Sequence, residues 1–491
     1  MKYSNLMKIS WKTIGQMPEE NLKEMQNEKV RFVMRALVPM HPFYRKLYEE
    51  KGIDYRKIDS VDDLQKLPFS SKLDILPTEA EPRRPRDFIL QPNEELIKKV
   101  YPKAELIKML AKKIIGKNVK EELEYEYKPV HTHFTTGRST NQIPFLYTRH
   151  DLDLLQETGK RLFGVVGASK EDIALNAFPY APHLAFWLAF YAITGSGVLG
   201  LQSGGGKILG TEKIITALEK MKATIFIAIP GYGYHLLREA VAKKKNFPSM
   251  KLFVGGGERL SSGLRAKLKE LLGSLGAKDA RILATYALTE AKTAWAQCHE
   301  NSGYHLYPDL EFIELADKDG NRVKDGEKGE VVYTNLGWRG SMVIRYRTGD
   351  ICDGIEYAPC QYCGRTVPRL SYNIERQSEY KEFHLTKIKG ELVNLNAFYS
   401  IINEFPEIAE WQVKIAKVNN DPFELDEIRL NIAIKEGVNE QSMDHKIGQR
   451  LFADLSVAPK IRFYKIDELT KMLGLDSELK EKRIVDTRPK N

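Results

Sequence analysis

Two short stretches of this chain carry side chains from which a nucleotide site could be built. Thr285-Tyr286-Ala287-Leu288-Thr289-Glu290 offers an aromatic plate, a hydroxyl and a carboxylate. Further along, Tyr346-Arg347-Thr348-Gly349-Asp350 offers a second carboxylate. A ring such as Tyr286 can stack on a base, and Asp350 can accept both hydroxyls of a ribose. Thr289 can touch phosphate, and Glu290 can hold Mg²⁺, a hard cation that takes one or two protein oxygens beside those of its phosphates. A loop for phosphate should be rich in small donor-bearing residues, so that backbone N–H groups and hydroxyls surround the anion. Thr132-His133-Phe134-Thr135-Thr136-Gly137-Arg138-Ser139-Thr140 has that composition, with one cation. It does not follow G-x-x-x-x-G-K-[ST], so the chain is not a P-loop NTPase.

A second constellation is Cys360-Gln361-Tyr362-Cys363 followed by Gly364-Arg365, which has the spacing of a zinc knuckle. A redox pair is disfavoured because no thioredoxin-like βαβ pattern surrounds it. A knuckle needs two more ligands.

These groups need a scaffold. Leu252-Phe253-Val254 reads as a short buried strand ending in Gly255-Gly256-Gly257-Glu258, and Arg281 to Tyr286 reads as another. Between them, Ser261 or Ser262 can cap a helix whose Leu264, Leu268, Leu271 and Leu272 share one face. A helix over Glu212 to Met221 leads into the apolar run Thr224 to Ile229. Short apolar strands alternating with amphipathic helices predict an α/β fold with a parallel, helix-covered sheet. In such sheets ligands lie beyond the carboxyl ends of strands.

The nearly charge-free run from Leu184 to Leu201 is broken by Thr194-Gly195-Ser196-Gly197, so it predicts a buried helix, a turn and a strand, and no transmembrane segment. The last part changes style. Trp411 to Val418 and Glu427 to Lys435 read as half-buried strands, 439–453 as a helix and Lys460 to Tyr464 as a third strand. This predicts a large N-terminal domain, 1–375, and a small mobile α+β domain, 376–491. Residues 78–128 read as a basic helical insert. Within it Leu106, Met109, Leu110, Ile114 and Ile115 form a stripe expected to pack on the body, with contact to a membrane surface or a partner as the alternative.

The 491 residues are 42% hydrophobic and 29% charged, as in ordinary globular proteins. The net charge of +9 is interleaved with acids, so anionic small molecules are expected and nucleic acid is not. Four cysteines and no apolar signal core at the start suggest a cytoplasmic protein. The oligomeric state stays open, with a homodimer as one form.

Taken as a set, the motifs resemble the adenylate-forming superfamily, in particular its phenylacetate–CoA ligase branch and the relatives that adenylate a deazaflavin coenzyme. Thr132 to Thr140 resembles the family's phosphate loop, Tyr286 to Glu290 its Tyr-Gly-Leu-Ser/Thr-Glu motif, and Arg345 to Asp350 its ribose-binding motif. Pro42-Phe43-Tyr44-Arg45 and Leu67-Pro68-Phe69 through Asp74 resemble N-terminal signatures of the branch. Lys480 to Arg488 resembles its tail. The similarity runs from about residue 40 to the end, outside most of 78–128.

The resemblance implies ATP-dependent formation of an acyl-adenylate from a small, aromatic carboxylic acid, then transfer to CoA. It implies Thr135, Thr136, Gly137, Arg138 and Ser139 around the phosphates, and Gly256, Gly257 and Glu258 at the adenine pocket. Tyr286 would lie on the base, Asp350 on the ribose, and Arg365 and Arg376 near the hinge and nucleotide. Glu290 would hold Mg²⁺, Thr289 would touch phosphate, and Lys480 would sit between acid and α-phosphate, with Lys482 as its rival. For the knuckle it implies Cys298 and His305 with Cys360 and Cys363 around a structural Zn²⁺, Cys352 and His299 being alternatives. Walls for the acid would come from Asn176 to His183 with Phe186 and Trp187, and from Pro230 to Tyr234.

Four departures stand out. Phe134 occupies a loop-glycine position, Arg138 replaces a lysine, Ala287 replaces a glycine, and the hinge region 375–390 is longer than the family pattern. They put the acceptor in question more than the nucleotide. Two rival readings follow: an adenylyltransferase that stops at nucleotidyl transfer, and a nucleotide-binding protein without turnover.

Overall fold

The runs Ile225–Ala228 and Leu252–Gly255 are buried at every position, the pattern of strands covered on both faces. In the computed structural model they pair in parallel with each other, with Ile173–Asn176 on one side and with Arg281–Leu288 on the other. Leu199–Gln202 and Thr293–Ala296 close the two edges of this six-stranded sheet, the latter antiparallel. Thr211–Lys220, Pro230–Ala242 and Ser262–Ser274 supply the helices between strands. Ile214, Leu218, Leu236, Leu268 and Leu272 pack with Phe226 and Phe253 of the sheet. Ser261 caps the last of these helices by accepting the Leu264 N–H at 3.2 Å.

The structure describes residues 9–101, 103–116, 118–135, 142–376, 385–388, 391–394, 397–417, 426–455, 459–474 and 481–488. Contacts divide the chain into two units. The first comprises 1–171, 181–199 and 285–375, and the second 172–180, 200–284 and 376–491. The strand Arg281–Leu288 starts in the second unit and ends in the first.

In the first unit, Glu311–Ala316, Gly329–Asn335, Tyr346–Cys352 and Ile374–Arg376 form a four-stranded sheet. His131–Phe134 and Pro144–Tyr147 form a hairpin. The run from Leu184 gives a helix, Leu184–Gly195, and Gly197 turns the chain at φ 68 into Leu199–Gln202. That helix crosses Arg149–Val166 at Gly159, where an added Cβ would lie 2.7 Å from the Ala192 nitrogen.

In the second unit, Ile408–Lys417 and Asp426–Ile434 pair antiparallel, and Lys460–Phe463 joins in parallel. The two expected strands are therefore present, but they are buried on both faces and not half-buried: the first at every position but Lys414 and Lys417, the second from Glu427 to Ala433. The tail Ile484–Asp486 adds a fourth strand, with Val413 opposite Ile484. Three residues are too few to show a period, which is why the pattern missed it.

The insert forms three helices, Glu94–Val100, Lys103–Ile114 and Val119–Tyr127. The stripe expected to pack on the body does so only in part: Leu106 and Met109 are half-buried, Leu110, Ile114 and Ile115 are exposed, and none of the residues of the middle helix is fully buried. Lys112 on that helix pairs instead with Glu122 at 2.7 Å.

Gly159→Val should lower stability by about 1–3 kcal/mol in chemical denaturation, because the intruded atoms are backbone. Gly164→Ala, on the same helix with nothing within 4 Å of the added Cβ, should be neutral or stabilising. Equal midpoints for the two variants would remove the helix crossing from this account.

Candidate functional site

The two nucleotide motifs meet in the first unit. Tyr286, near the end of Arg281–Leu288, donates its hydroxyl to Asp350 Oδ2 at 2.7 Å. Tyr346 donates its hydroxyl to Glu290 Oε1 at 3.2 Å. Each motif thus contributes a tyrosine that orients the other's carboxylate. Asp350 is buried, while Tyr286, Thr289 and Glu290 are half-buried. Trp295 and Tyr304 pack against the Tyr286 ring at centroid distances of 5.4 and 6.0 Å.

The N-terminal signatures dock on the strand that carries Asp350. The Tyr44 hydroxyl accepts the Ile344 N–H at 2.6 Å and lies 2.7 Å from Ser70 Oγ. Ser70 donates its N–H to the Arg345 carbonyl and accepts the Arg347 N–H. Arg345 adopts φ 45, a strained conformation for a non-glycine residue. Its buried guanidinium donates to Glu314 Oε1 at 2.8 Å and to the Gln65 and Leu67 carbonyls, and lies 4.1 Å from the Phe69 ring centroid. Several bonds from one side chain hold that backbone in place.

Sequence reasoning missed Asp151 and Lys292, both wholly buried. Lys292 Nζ donates to Asp151 Oδ2 at 2.7 Å and lies over the Tyr147 and Trp338 rings. Lys292 has φ 58, and its N–H closes a turn onto the Thr289 carbonyl at 3.1 Å. Asp151 also accepts the N–H groups of Arg339 and Gly340, each at 2.7 Å. Burial alone would raise the Asp151 carboxyl, but the Lys292 ammonium outweighs it and holds the group well below the usual carboxylate range. A lysine two residues beyond Glu290 and an aspartate after a capping threonine carry no pattern that pairs them.

Thr135 lies at the base of the expected phosphate loop, where it donates its N–H to the Ile143 carbonyl and accepts the Ile143 N–H on Oγ1. Thr136, Gly137, Arg138 and Ser139 lie outside the described residues. Arg365 donates to the Gly164 carbonyl at 2.9 Å, and Arg376 ends the strand Ile374–Arg376. In the second unit Gly256 and Gly257 follow the strand Leu252–Gly255; Gly256 is buried and Gly257 has φ 82, with half-buried Glu258 next. Lys480 also lies outside the described residues. Its neighbour Glu481 sits against Gly231 at the start of Pro230–Ala242, so closely that a Cβ on Gly231 would lie 2.4 Å from Glu481 Oε2. Arg483 fixes this tail through Glu481 at 2.8 Å and Glu410 at 2.6 Å. Glu410 in turn accepts from Arg238 at 3.3 Å.

Cys298, His305, Cys360 and Cys363 converge, their candidate ligand atoms all within 4.8 Å of one another. Cys298 Sγ lies 3.6 Å from Cys360 Sγ, and Cys363 Sγ lies 3.3 Å from His305 Nε2. His305 Nδ1 donates to the Ala296 carbonyl at 3.3 Å, which leaves Nε2 facing the sulfurs as a ligand. Gly364, at φ 73, turns the knuckle, and its N–H reaches the Cys360 carbonyl. The Cys363 thiol is pushed down to about 2, first by the Cys298 thiol that donates to it and then by His305. Three sulfurs and one imidazole suit a soft tetrahedral metal. Cys352 stands apart, its thiol donating to the Gly354 carbonyl, and His299 stacks on Tyr362.

Residues 147–337 match the AMP-binding enzyme family. A phenylacetate–coenzyme A ligase of Thermus thermophilus is 23% identical over 467 residues, which cover 92% of this chain and 89% of that protein. The Escherichia coli phenylacetate–coenzyme A ligase is 21% identical over 68% of this chain and 67% of its own. Residues 147–337 thus carry an AMP-binding enzyme domain, and the chain is similar over most of its length to a phenylacetate–coenzyme A ligase. Its fold is that of a solved 2-hydroxyisobutyryl-CoA ligase in the postadenylation state, at TM-score 0.74 and 20% identity, over 97% of this chain and 92% of the other.

The aromatic candidates in this AMP-binding homologue do different jobs. Trp187 packs against His131 at 5.3 Å, and burial holds His133 neutral by pushing it down to about 3. In the second unit the Tyr232 hydroxyl lies 3.1 Å from Thr211 Oγ1, and Asn176 is spent on Gln202 and the Phe178 N–H. Tyr180 is exposed.

Beneath Tyr286, Trp295 donates to buried Glu311 at 2.5 Å, and Tyr307 donates its N–H to the same carboxyl at 2.9 Å. Burial pushes the Glu311 carboxyl from an ordinary 4.5 up to about 8. A raised folded-state value means that stability is full below the unfolded value and is lost as pH rises towards about 8. The melting temperature of the wild type should therefore fall between these limits more steeply than that of Glu311→Gln. Parallel pH profiles for the two proteins would refute a titrating Glu311.

Proposed function

We propose that this protein activates a small carboxylic acid with ATP and passes the acyl group to coenzyme A. The observation that carries the reading is the reciprocal orientation of two carboxylates, Asp350 by Tyr286 and Glu290 by Tyr346. Homology to phenylacetate–CoA ligases supports an AMP-forming acid–CoA ligase and makes aromatic acids the first substrates to try.

In the first half-reaction the acid's carboxylate attacks the α-phosphorus of ATP, the bond to pyrophosphate breaks, and an acyl-adenylate forms. In the second, a thiolate attacks the acyl carbon and AMP leaves. Asp350 holds the ribose, Tyr286 backs the base, and Thr135 with the loop beyond it receives the phosphates. Glu290 would hold Mg²⁺, which when bound neutralises charge on the phosphates, and Thr289 touches phosphate. Two anions must come together as the pentacoordinate state develops, so a fixed cation is required. Lys480 fills that role. The seat of its neighbour Glu481 on Gly231 puts this tail beside Pro230 to Tyr234, the segment assigned to the acid. Residues 376–491 act as a mobile lid that brings Lys480 in and withdraws it for the thiol step. Cys298, His305, Cys360 and Cys363 hold a structural Zn²⁺ with no open position for catalysis. Four cysteines, none of them in a disulfide, fit a reducing compartment, the cytoplasm.

Lys480→Ala should cut acid-dependent exchange of pyrophosphate into ATP by about 10²–10³-fold while ATP still binds. Exchange at the wild-type rate would take Lys480 out of the mechanism. Exchange without CoA-dependent release of AMP would reassign the protein to nucleotidyl transfer alone. For the metal, elemental analysis of purified protein should give about one zinc per chain, lost in Cys363→Ser together with a lowered melting temperature. Wild-type protein that is zinc-free yet equally stable would contradict a structural metal.

A further inference from the structure

The helix Lys103–Ile114 half-buries Leu106 and Met109 and leaves a second apolar face exposed. Ile107 is 65% exposed, Leu110 61%, Ile114 81%, and Ile115, just past the helix, 69%. Ile107, Leu110 and Ile114 stand at i, i+3 and i+7, one above another on a single face. Isolated exposed hydrophobics are ordinary, whereas four aligned on one short element form a patch that calls for an occupant.

The surrounding charge says which occupant. From 98 to 120 the chain carries Lys98, Lys99, Lys103, Lys108, Lys112, Lys113, Lys117 and Lys120, against the single acid Glu105. Half of this charge is already spent: Lys112 pairs with Glu122, Lys98 with Glu94, Lys108 with Glu105 and Lys120 with Glu124. Lys99, Lys103 and Lys113 make no ion pair among the described residues. Acids return on both sides, with Glu94 and Glu95 before and Glu121, Glu122, Glu124 and Glu126 after, so this density is local. An exposed aliphatic face that shares its helix with unpaired Lys103 and Lys113, and follows unpaired Lys99, matches an anionic interface with hydrocarbon beneath it. The lysines meet headgroup phosphates, and the aliphatic side chains enter the acyl boundary. No described helix is long and apolar enough to cross a bilayer, so the contact is peripheral.

We infer that Lys103–Ile114 is a docking element for an anionic phospholipid surface. It lies flat on the headgroups, with Ile107, Leu110, Ile114 and Ile115 inserted and Lys99, Lys103 and Lys113 paired with phosphate. Binding to such a surface is independent of ATP, because it uses none of the nucleotide-site residues.

Flotation with vesicles tests this on the full-length protein. Wild-type protein should rise with phosphatidylcholine vesicles that contain phosphatidylglycerol, stay down with phosphatidylcholine alone, and be released by high salt. Ile107→Glu/Leu110→Glu/Ile114→Glu should lose about tenfold or more of the bound fraction, and Lys99→Gln/Lys103→Gln/Lys113→Gln a similar amount. The replaced side chains are exposed, so both variants should keep the wild-type melting temperature and the activity measured without vesicles. Three results would overturn the inference: no binding to anionic vesicles, equal binding by wild type and both variants, or binding to neutral vesicles alone. So would a vesicle-free dimer, seen in sedimentation, that the glutamate variant dissolves, since the face would then belong to a second copy of the chain.

Discussion

The buried pair of Asp151 and Lys292 is the contact on which the described half of the nucleotide site rests. Lys292 closes the turn that presents Thr289 and Glu290, in a left-handed conformation that a lysine adopts only at a cost. Its side chain is committed to Asp151, and Asp151 is committed at the same time to the Arg339 and Gly340 N–H groups. A charge taken fully out of water is tolerable only when its partner and its remaining lone pairs are satisfied, and here they are. Loss of either partner would strand the other, at roughly 3–5 kcal/mol, and would free the turn beside Glu290.

The same logic recurs at Arg345. Its strained backbone is held by Glu314, two carbonyls and the Phe69 ring, which places Tyr346 to Asp350 in register with Ser70. The strand that carries Asp350 is thus held by groups, Arg345, Glu314 and Phe69, to which no ligand contact is assigned. Such rigid support lets a site meet charge without reorganising. The cysteine–histidine cluster serves a similar purpose nearby in the chain. It ties the segment after Thr293–Ala296 to the knuckle at 360–364, on strands too short to hold each other by ladder bonds alone.

The insert obeys a different rule. Its middle helix gains nothing from the core, since none of the residues along it is buried, and its ordering comes from neighbours such as Glu122. An amphipathic period tells which residues share a face, but not which way the face points. The stripe of Leu106, Met109, Leu110, Ile114 and Ile115 was legible, but not that only Leu106 and Met109 would turn inward.

Composition and spacing by themselves determined the alternating strands and helices of the sheet, the strands within 411–435, a helix cap at Ser261 or Ser262 and the two carboxylate-bearing motifs that could meet a nucleotide. Those features are written in local patterns, because burial on one or both faces imposes a period on the chain. Tertiary structure alone decided that Tyr286 pairs with Asp350 and Tyr346 with Glu290. It alone chose Cys298 and His305 over Cys352 and His299 as companions of the knuckle, and it alone buried Lys292 against Asp151. Contacts between residues far apart in sequence leave no period, since a lone lysine or aspartate reads the same whether it faces water or a buried partner. Only the closed backbone fixes which of those it meets.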